Sequence, residues 1–328
     1  MKKRILSGMR PTGKLHLGNL HGALVNWVEL QNRGDYDCFY FVADWHALTS
    51  EYNETENIAV NTFDMVVDWL SVGLDPEKST LFVQSQVKEH AELYLIFSLI
   101  TPLAWLERNP TYKEMKAELA HKDLNTFGFL GYPVLQAADI LMYKATGVPV
   151  GANQLPHTEL SREIARRFTF LYREIFPLPE PVLTVVPKLL GIDGRKMSKS
   201  YGNSIYLRDR GEELEQKIAA MYTDPQRMRR KDPGRPELCN VFTFHGLYTP
   251  QAEVTEIETG CRRALIGCTE CKKKLALNVT QALKPIHERQ DYYLSHINVV
   301  NEIIEAGVRR AKMIAQSTMA EVREAIKI

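Results

Sequence analysis

Hydrophobic residues in the first part of the chain form two kinds of pattern. Residues 4–7, 38–42 and 80–84 are short, largely apolar runs of the kind that predicts buried strands. Between these runs, apolar positions recur at helical spacing over 20–28 and 63–70, and each helical pattern stops shortly before a glycine. The pattern therefore predicts strands that alternate with helices.

The same alternation continues further along the chain. Helical spacing recurs at 88–100, around 113–120 and over 133–144, where Pro133 suits a first helical turn, and 148–150 is a further short strand. Such alternation predicts an α/β fold with a doubly wound, parallel, Rossmann-like sheet. Ligands of these sheets bind at the carboxyl ends of the strands, so we expect the site near the turn after the first strand.

The strand signals stop near residue 205. Beyond that point amphipathic helical segments follow at 212–221, 271–289 and 299–326. We therefore predict two domains, a Rossmann-like domain over 1–205 and an all-helical domain over 206–328.

Composition excludes several classes of protein. The 328 residues are 45% hydrophobic and 25% charged, which are ordinary globular values and exclude wholesale disorder. The formal net charge of +1 excludes a globally basic nucleic-acid binder, so any contact with RNA must come from a local patch. No apolar run approaches the length that spans a bilayer, and the basic start lacks an apolar segment after it. We expect a soluble, cytoplasmic protein without membrane contact.

The turn after the first strand has features that suit a nucleotide. Gly18 allows a ring or a phosphate close to the backbone, and the N-terminus of the helix that follows attracts negative charge. His16 and Asn19 can donate hydrogen bonds to phosphate oxygens. A capped turn with a surface histidine would explain the same HLGN tetrapeptide, so on its own the motif is a weak signal.

A second glycine-containing loop lies far downstream, at 191–203. It places Arg195, Lys196 and Lys199 within five positions, together with serine hydroxyls. A cationic loop of this kind can close on a polyphosphate and stabilise the charge that develops as pyrophosphate leaves. A solvated basic loop is the simpler alternative.

Together the two segments resemble a known family. HLGN at 16–19 and KMSKS at 196–200 resemble the paired motifs of class I aminoacyl-tRNA synthetases, and the segments 131–141 and 148–154 look like the amino-acid pocket of bacterial-type tryptophanyl-tRNA synthetases. The resemblance implies a tryptophan–tRNA ligase that uses ATP and Mg²⁺, acts on L-tryptophan and tRNA(Trp), and forms a homodimer.

The resemblance also implies a tryptophan pocket. Asp139 would accept the indole N–H, and Tyr132 and Gln154 would hold the substrate ammonium group. Tyr132 and Asp139 are close to two helical turns apart and share a helix face. Further residues would line the aromatic ring: His46, Val148 and Val150. A structural core helix with one inward acid, and a buried structural histidine, are the alternatives.

For ATP and catalysis the resemblance implies a larger set of residues. The catalytic groups would be His16, Asn19, Lys196 and Lys199. The ATP-binding residues would be Arg10, Pro11, Thr12, Gly18, Asn19, Gly151, Ala152, Asn153, Val186, Lys196, Met197, Ser198, Lys199 and Ser200. The sequence departs from the family at 152–153, where the usual acidic pair is neutral. A further leaving-group lysine is either Lys113 or Lys116.

Four of the five cysteines lie close together in the sequence. Cys239, Cys261, Cys268 and Cys271 follow the pattern C-x21-C-x6-C-x2-C, and basic residues surround them. Four thiolates make a closed tetrahedral site for zinc or for an iron–sulfur cluster, although four unrelated buried thiols are also compatible with the spacing. Some tryptophanyl-tRNA synthetases carry a similar motif, longer by one residue, that holds a 4Fe-4S cluster near the anticodon-binding surface. The resemblance therefore implies a 4Fe-4S cluster here, with Zn²⁺ as the alternative.

Two other functions fit part of the pattern. A tyrosyl-tRNA synthetase shares the fold and a similar helix around Asp139. A non-catalytic RNA-binding paralogue would explain the neutral residues Ala152 and Asn153. KMSKS and the PVGxxQ segment favour tryptophan over tyrosine.

Overall fold

The computed structural model describes residues 2–110, 112–113, 116, 123–151, 155–183 and 189–328. Residue contacts divide the chain into two units. The first, called here the sheet unit, contains residues 1–13, 26–185 and 293–328, and the second, called the helical unit, contains residues 14–25 and 186–292.

Five parallel strands form the core of the sheet unit, in the spatial order β3-β2-β1-β4-β5. They are β1 (Lys3–Met9), β2 (Tyr36–Val42), β3 (Ser79–Val83), β4 (Gly147–Val150) and β5 (Glu180–Leu183). From β1 the chain adds β2 and β3 on one side of the sheet, and then reverses direction and adds β4 and β5 on the other side. Because parallel crossovers are right-handed, this reversal places successive helices on opposite faces of the sheet. The predicted doubly wound α/β fold is thus confirmed.

Buried aromatic and branched residues explain why these segments form strands. All five residues of β3 and the last five of β2 are buried, so both faces of these strands are covered. Phe41 and Phe82 stack with ring centroids 5.6 Å apart. The register pairs Met9 with Val42 and Val42 with Val83, so the carboxyl ends of β1, β2 and β3 lie at one edge.

Helices connect and cover the strands. The helices along the sheet unit are α2 (Val25–Arg33), α3 (Asp44–Glu51), α4 (Ile58–Val72), α5 (Glu89–Ile100), α6 (Leu103–Glu107), α7 (Phe127–Met142), α8 (Leu155–Leu171) and, near the C-terminus, α13 (Ile297–Ile326). A short 3-10 turn at Gln84–Gln86 follows β3 directly.

The C-terminal helix α13 belongs to the sheet unit and packs on β3. Gly307 lies so close to the strand that an added Cβ would overlap the carbonyl of Leu81. Ala311, Ala315 and Met319 continue the same buried face. The contacts therefore do not follow the single boundary expected near residue 205, because the last helix returns to the sheet.

The helical unit contains the remaining elements. They are α1 (Leu17–Asn19), a π-helical segment (Leu20–Leu24) that continues into α2, 3-10 turns at Lys199–Tyr201 and Pro236–Leu238, α9 (Gly211–Ala219), α10 (Asn240–Tyr248), α11 (Gln251–Arg262) and α12 (Cys268–Ser295). After β5 the described residues contain no further strand, as the sequence predicts.

Several boundaries differ from the sequence prediction. Helix α7 begins at Phe127 because Thr126 caps it through the Phe129 N–H, so Pro133 lies inside the helix and not in its first turn. Strand β5 and helix α8 were not predicted. Most of the helix expected around 113–120 lies outside the described residues. In the described part of the chain, none of the helices combines the length and the apolar character needed to cross a bilayer.

Candidate functional site

Asp139 lies at the centre of a buried polar network in the sheet unit. It projects from α7 and is fully buried, with 0% of its surface exposed. Gln84 Nε2 donates to its Oδ1 at 2.7 Å, His90 Nδ1 lies 2.6 Å from the same oxygen, and His46 Nε2 lies 2.7 Å from Oδ2. The donors come from the ends of β3, from α5 and from α3, so the fold itself delivers them to one carboxylate.

The network holds this carboxylate ionised. Burial alone would raise the pKa of Asp139, but hydrogen bonds from His46 and His90 outweigh that effect and leave the pKa below its usual value. An ionised carboxylate only accepts, so His46 Nε2–H and His90 Nδ1–H are both donors. The other ring nitrogen of His90, Nε2, lies 2.7 Å from the hydroxyl of Tyr143. Burial, followed by the charge of Asp139, raises the pKa of Tyr143, which keeps that hydroxyl protonated.

Tyr132 lies on the same helix as Asp139, two turns before it. Its hydroxyl is 3.2 Å from Nε2 of His157, which is in the first turn of α8. Both side chains are buried. Val148 and Val150 are buried in β4, where Val148 pairs with Pro181 of β5 and Val150 pairs with Leu183.

The residues expected to bind ATP in the sheet unit follow β1. Arg10 Nη1 donates to Ser50 Oγ at 3.1 Å, and the N–H of Thr12 donates to the Arg10 carbonyl at 2.9 Å. Pro11 is buried within this turn. Gly151 directly follows β4, whereas four predicted residues, Ala152, Asn153, Gln154 and Val186, lie outside the described residues. Lys113 and Lys116 both have exposed side chains.

In the helical unit, His16 and Asn19 cap the first turn reciprocally. The N–H of Asn19 donates to His16 Nδ1 at 3.2 Å, and the N–H of His16 donates to Asn19 Oδ1 at 3.0 Å. Burial, followed by the charge of Lys199, lowers the pKa of His16 to about 4. His16 is therefore neutral at pH 7, with Nδ1 as acceptor and Nε2–H available to donate.

Gly18 is needed where it stands. A Cβ added there would lie 2.9 Å from the His16 ring and 3.7 Å from Met197 Sδ. The backbone of the HLGN turn and the KMSKS loop are therefore in close contact.

Backbone pairing explains this contact. The N–H of Leu17 donates to the Ile205 carbonyl and the N–H of Leu207 donates to the Leu15 carbonyl, both at 2.9 Å. His16 and Tyr206 face each other in an antiparallel bridge. The segment that follows the KMSKS loop thus pairs directly with the HLGN turn, although about 190 residues separate them in the sequence.

The side chain of Asn203 makes hydrogen bonds that hold the backbone of the KMSKS loop. Its Nδ2 donates to Asp193 Oδ1 at 2.7 Å and to the Lys196 carbonyl at 3.1 Å, while its Oδ1 accepts the N–H of Ser198 at 2.9 Å. Ser198 Oγ and Ser200 Oγ are 2.9 Å apart. The loop backbone is therefore fixed, while the side chain of Lys196 is exposed and that of Lys199 is half-buried.

The four clustered cysteines come from different helices of the helical unit. Cys239 precedes α10, Cys261 lies in α11, and Cys268 and Cys271 form the first turn of α12. None forms a disulfide. Burial, followed by the three other thiols, raises the pKa of Cys271 to about 12, so the four sulfurs share one neighbourhood.

The thiols also have polar neighbours. His245 Nε2 is 3.4 Å from Cys271 Sγ, and Arg227 Nη1 is 3.5 Å from Cys261 Sγ. Among the described residues, no group of three or more His, Cys, Asp or Glu side chains has the arrangement of a metal site. The donor chemistry thus fits a thiolate-bound metal, while the side chains are not arranged around one point.

Sequence reasoning missed four polar residues of the sheet unit: Gln84, His90, Tyr143 and His157. Gln84 had a usable signal, because a polar residue that ends a buried parallel strand lies at the ligand edge of the sheet. His90 is a single polar residue on an otherwise apolar helix face, Tyr143 directly follows the last residue of α7, and His157 lies in α8 among buried residues of mixed polarity. Such residues cannot be told from core residues until the fold shows their partners.

Comparison with known proteins supports a specific family. The profile described as tRNA synthetases class I (W and Y) matches residues 1–284. A Tryptophan--tRNA ligase of Thermotoga maritima is 56% identical over 326 residues, which cover 99% of each chain. A Tryptophan--tRNA ligase of Aquifex aeolicus is 47% identical over 395 residues, with 99% of this chain and 100% of the relative covered.

Solved structures agree with these relatives. The tryptophanyl-tRNA synthetase from Campylobacter jejuni complexed with ADP and tryptophan matches with a TM-score of 0.90 at 35% identity, and covers 99% of this chain and 100% of that one. A tyrosyl-tRNA synthetase from Archaeoglobus fulgidus, with a TM-score of 0.68 at 22% identity, shares the fold alone. The chain therefore belongs to the class I tRNA synthetases for tryptophan and tyrosine and, within them, to the bacterial-type tryptophanyl-tRNA synthetases, which makes it an enzyme, a tryptophan–tRNA ligase.

Proposed function

We propose that the chain activates L-tryptophan with ATP to tryptophanyl-adenylate and pyrophosphate, and then transfers tryptophan to the 3′ end of tRNA(Trp). The observation that supports this most directly is the pairing of 15–17 with 205–207, which brings the HLGN turn against the KMSKS loop in one unit. A nucleotide-binding turn and a cationic loop in contact are the parts that phosphoryl chemistry on ATP requires.

The reaction needs positioning and positive charge more than acid–base catalysis. The tryptophan carboxylate attacks the α-phosphorus of ATP in line, and pyrophosphate leaves. His16 donates Nε2–H to a phosphate oxygen, because its Nδ1 is already engaged by the helix cap. Lys196 and Lys199 stabilise the leaving pyrophosphate, and Mg²⁺ that arrives with ATP offsets part of its charge.

The proposed tryptophan pocket uses the buried network of the sheet unit. A carboxylate has about four acceptor positions, and the described donors Gln84, His90 and His46 use three of those on Asp139. The remaining position on Oδ2 accepts the indole N–H. Tyr132, together with Gln154, holds the substrate ammonium group. The aromatic lining residues are His46, Val148 and Val150.

Further residues are proposed to bind ATP. In the sheet unit they are Arg10, Pro11, Thr12, Gly151, Ala152, Asn153 and Val186, and in the helical unit they are Gly18, Asn19 and the loop 196–200. In the second step, the terminal adenosine hydroxyl of the tRNA attacks the aminoacyl carbonyl. Residues 1–205 would serve activation, and residues 206–328 would serve recognition of the tRNA anticodon.

The four cysteines are proposed to bind a 4Fe-4S cluster, with Zn²⁺ as the alternative occupant. Two facts support this, the all-thiol donor set and the shared neighbourhood of the four sulfurs. The pKa values of Cys261 and Cys271 are raised, so a metal must displace their protons when it binds. When bound, the group would join the starts of α10 and α12 with α11 through covalent links.

A basic cleft beside Cys268 is proposed to contact tRNA phosphates. Its volume is about 560 Å³, and Arg229, Arg230 and Lys273 contribute its positive charge. Contacts of this kind weaken as the salt concentration rises.

A homodimer in the cytoplasm is the proposed working form. Leu95 and Leu99 are one helical turn apart on α5, Leu103 begins α6, and the three side chains are 59%, 77% and 57% exposed. An exposed apolar stripe of this kind is typical of a protein interface, and a second copy of the chain is the proposed occupant. Leu99→Glu should give a monomer in light scattering, whereas an unchanged mass would contradict this interface.

ATP–pyrophosphate exchange tests the proposed activity. We expect exchange that depends on tryptophan and that is far slower with tyrosine or phenylalanine at the same concentration. Exchange driven by tyrosine would identify a tyrosyl enzyme. No exchange with either amino acid, in protein that binds tRNA, would identify a non-catalytic RNA-binding protein.

Anaerobic purification tests the metal. A brown protein with about four irons per chain would support the cluster. Colourless, zinc-loaded protein from an iron-replete preparation would contradict it and keep the thiolate site. Cys268→Ser should reduce tRNA charging more than exchange, because exchange needs no tRNA. Equal loss of both activities would indicate a folding defect.

A further inference from the structure

His157 is a buried histidine of α8 that none of the proposed roles uses. It is 2% exposed, and its Nε2 lies 3.2 Å from the hydroxyl of Tyr132. The two rings pack edge to face, with centroids 5.3 Å apart and planes at 69°. His157 is therefore held against the residue that, under the proposed function, contacts the substrate ammonium group.

The protonation state of His157 follows from its surroundings. Burial, followed by the nearby His46, lowers the pKa of His157 to about 4, so the ring is neutral at pH 7. A neutral imidazole has one acceptor nitrogen and one N–H. An imidazole nitrogen is a better acceptor than a phenol oxygen, so the Tyr132 O–H donates to Nε2 and the proton of His157 is on Nδ1. Nδ1 has no partner among the described residues.

This direction of the hydrogen bond has a chemical consequence. An ammonium group can only donate, so it needs an acceptor in the pocket. When the hydroxyl proton of Tyr132 points to His157, the lone pairs of the phenol oxygen point away from the imidazole. A phenol whose proton pointed toward the substrate would instead repel the ammonium group.

We propose that His157 is a positioning residue for amino-acid recognition, which takes the hydroxyl proton of Tyr132 and thereby makes the Tyr132 oxygen an acceptor for the α-ammonium group of the substrate. The inference rests on the proposed function of Tyr132. His157 itself does not contact the substrate. Its effect is confined to ligands that carry an ammonium group.

Two ligands separate this role from simple packing. L-tryptophan and indole-3-propionate share the indole and the carboxylate, and only tryptophan has the ammonium group. Their dissociation constants are measured by calorimetry on the full-length protein without ATP. The variants are His157→Phe, which keeps an aromatic ring and removes the acceptor, and His157→Gln, which restores an acceptor oxygen.

His157→Phe should weaken tryptophan binding by roughly 10-fold to 100-fold, because a hydrogen bond to a charged group is lost, and should change indole-3-propionate binding by no more than about twofold. His157→Gln should retain most of the preference for tryptophan. In the Tyr132→Phe background, His157→Phe should have no further effect on that preference, since both changes remove the same interaction.

The outcomes also distinguish the inference from the function beneath it. If Tyr132→Phe lowers the preference for tryptophan and His157→Phe does not, the inference is overturned and the role of Tyr132 stands. If Tyr132→Phe leaves the preference unchanged, the proposed role of Tyr132 is wrong and the inference falls with it. If His157→Phe weakens the binding of both ligands equally, His157 has only a packing role. The same conclusion follows if His157→Gln loses the preference for tryptophan as His157→Phe does.

Discussion

At the scale of single residues, the surroundings of Asp139 determine how its role can be tested. Replacement by alanine would leave the three donors Gln84, His90 and His46 buried without an acceptor, at a cost on the order of 1–3 kcal/mol each. Such a variant would confuse misfolding with lost selectivity. Asparagine keeps the volume and one acceptor oxygen, and a neutral imidazole can change tautomer to meet its amide.

We expect Asp139→Asn to lose discrimination at the indole nitrogen. The probe is 3-benzothienylalanine, in which sulfur replaces the indole N–H. In ATP–pyrophosphate exchange, the unaltered protein should prefer tryptophan over 3-benzothienylalanine. Asp139→Asn should reduce this preference by roughly 10-fold or more, because the charge-assisted hydrogen bond from the indole N–H is lost.

Tyr143→Phe is the matched control for this change. It removes the hydroxyl that lies 2.7 Å from His90 Nε2 and leaves all three bonds to Asp139 in place. The preference for tryptophan should therefore persist. An Asp139→Asn variant that keeps the full preference would show that another group reads the indole N–H.

The residue scale is also where the sequence is least informative. Asp139, Tyr132 and His46 are found through motifs, because the spacing and the flanking segments are distinctive. His90 and His157 have no motif, and only their distances to Asp139 and Tyr132 identify them. A polar residue on an apolar helix face has the same pattern whether or not it serves a site.

At the scale of elements, the hydrophobic pattern predicts most of the sheet. Strands β2, β3 and β4 are short runs with mostly buried residues, and in β1 Ile5 and Leu6 are buried, which explains why the pattern identifies them. Strand β5 is an edge strand with mostly exposed residues and Pro181 within it, so it has no apolar run to detect. The pairing of the HLGN turn with 205–207 is a long-range contact that no local pattern contains.

The KMSKS loop gives a prediction at this scale. Lys199→Ala should slow adenylate formation by roughly 100-fold, because a cation that stabilises the leaving pyrophosphate is lost, while tryptophan affinity stays within about twofold. Rapid-quench measurement of the first turnover and equilibrium dialysis separate the two quantities.

Arg195→Ala is the control within the same loop. The Arg195 side chain pairs with Asp193 and lies over Tyr201, with 4.6 Å between the guanidinium carbon and the ring centroid. Its removal should therefore change the first turnover much less. Equal losses in rate and in tryptophan affinity for Lys199→Ala would contradict a role on the polyphosphate.

The contact of α13 with β3 gives a second prediction. Gly307→Ala places a methyl group against the backbone carbonyl of Leu81, which cannot rotate away, so we expect a loss of about 1–3 kcal/mol in the free energy of unfolding. Gly246→Ala is the control, because an added Cβ in α10 would have no neighbour within 4 Å beyond the adjoining residues and the backbone of its own helix. That change should stabilise the protein by about 0.5–1 kcal/mol. Urea unfolding followed by circular dichroism measures both, and a Gly307→Ala variant as stable as the control would contradict the close packing.

At the scale of the whole molecule, buried neutral histidines link stability to pH. His157 in the sheet unit and His16 in the helical unit each have a pKa lowered to about 4, mainly by burial, with His46 and Lys199 as the nearby groups that add to the effect. Unfolded histidine has a pKa of about 6.5. The unfolded chain therefore binds more protons than the folded chain between these two values, and stability falls as the pH drops from about 6.5 toward 4.

The expected size of this effect is measurable. Each of the two histidines should contribute a loss of roughly 2 kcal/mol in the free energy of unfolding between pH 7 and pH 5. Urea unfolding at constant ionic strength measures how the free energy of unfolding depends on pH. The side chain in His157→Gln cannot titrate, so this variant should lose less stability over the same pH range, and the difference should equal about the contribution of one histidine. Because each unit contains one such histidine, both units of the unaltered protein should lose stability as the pH falls. An unfolding curve that is the same at pH 7 and pH 5 would show that the folded protein does not hold these imidazoles neutral.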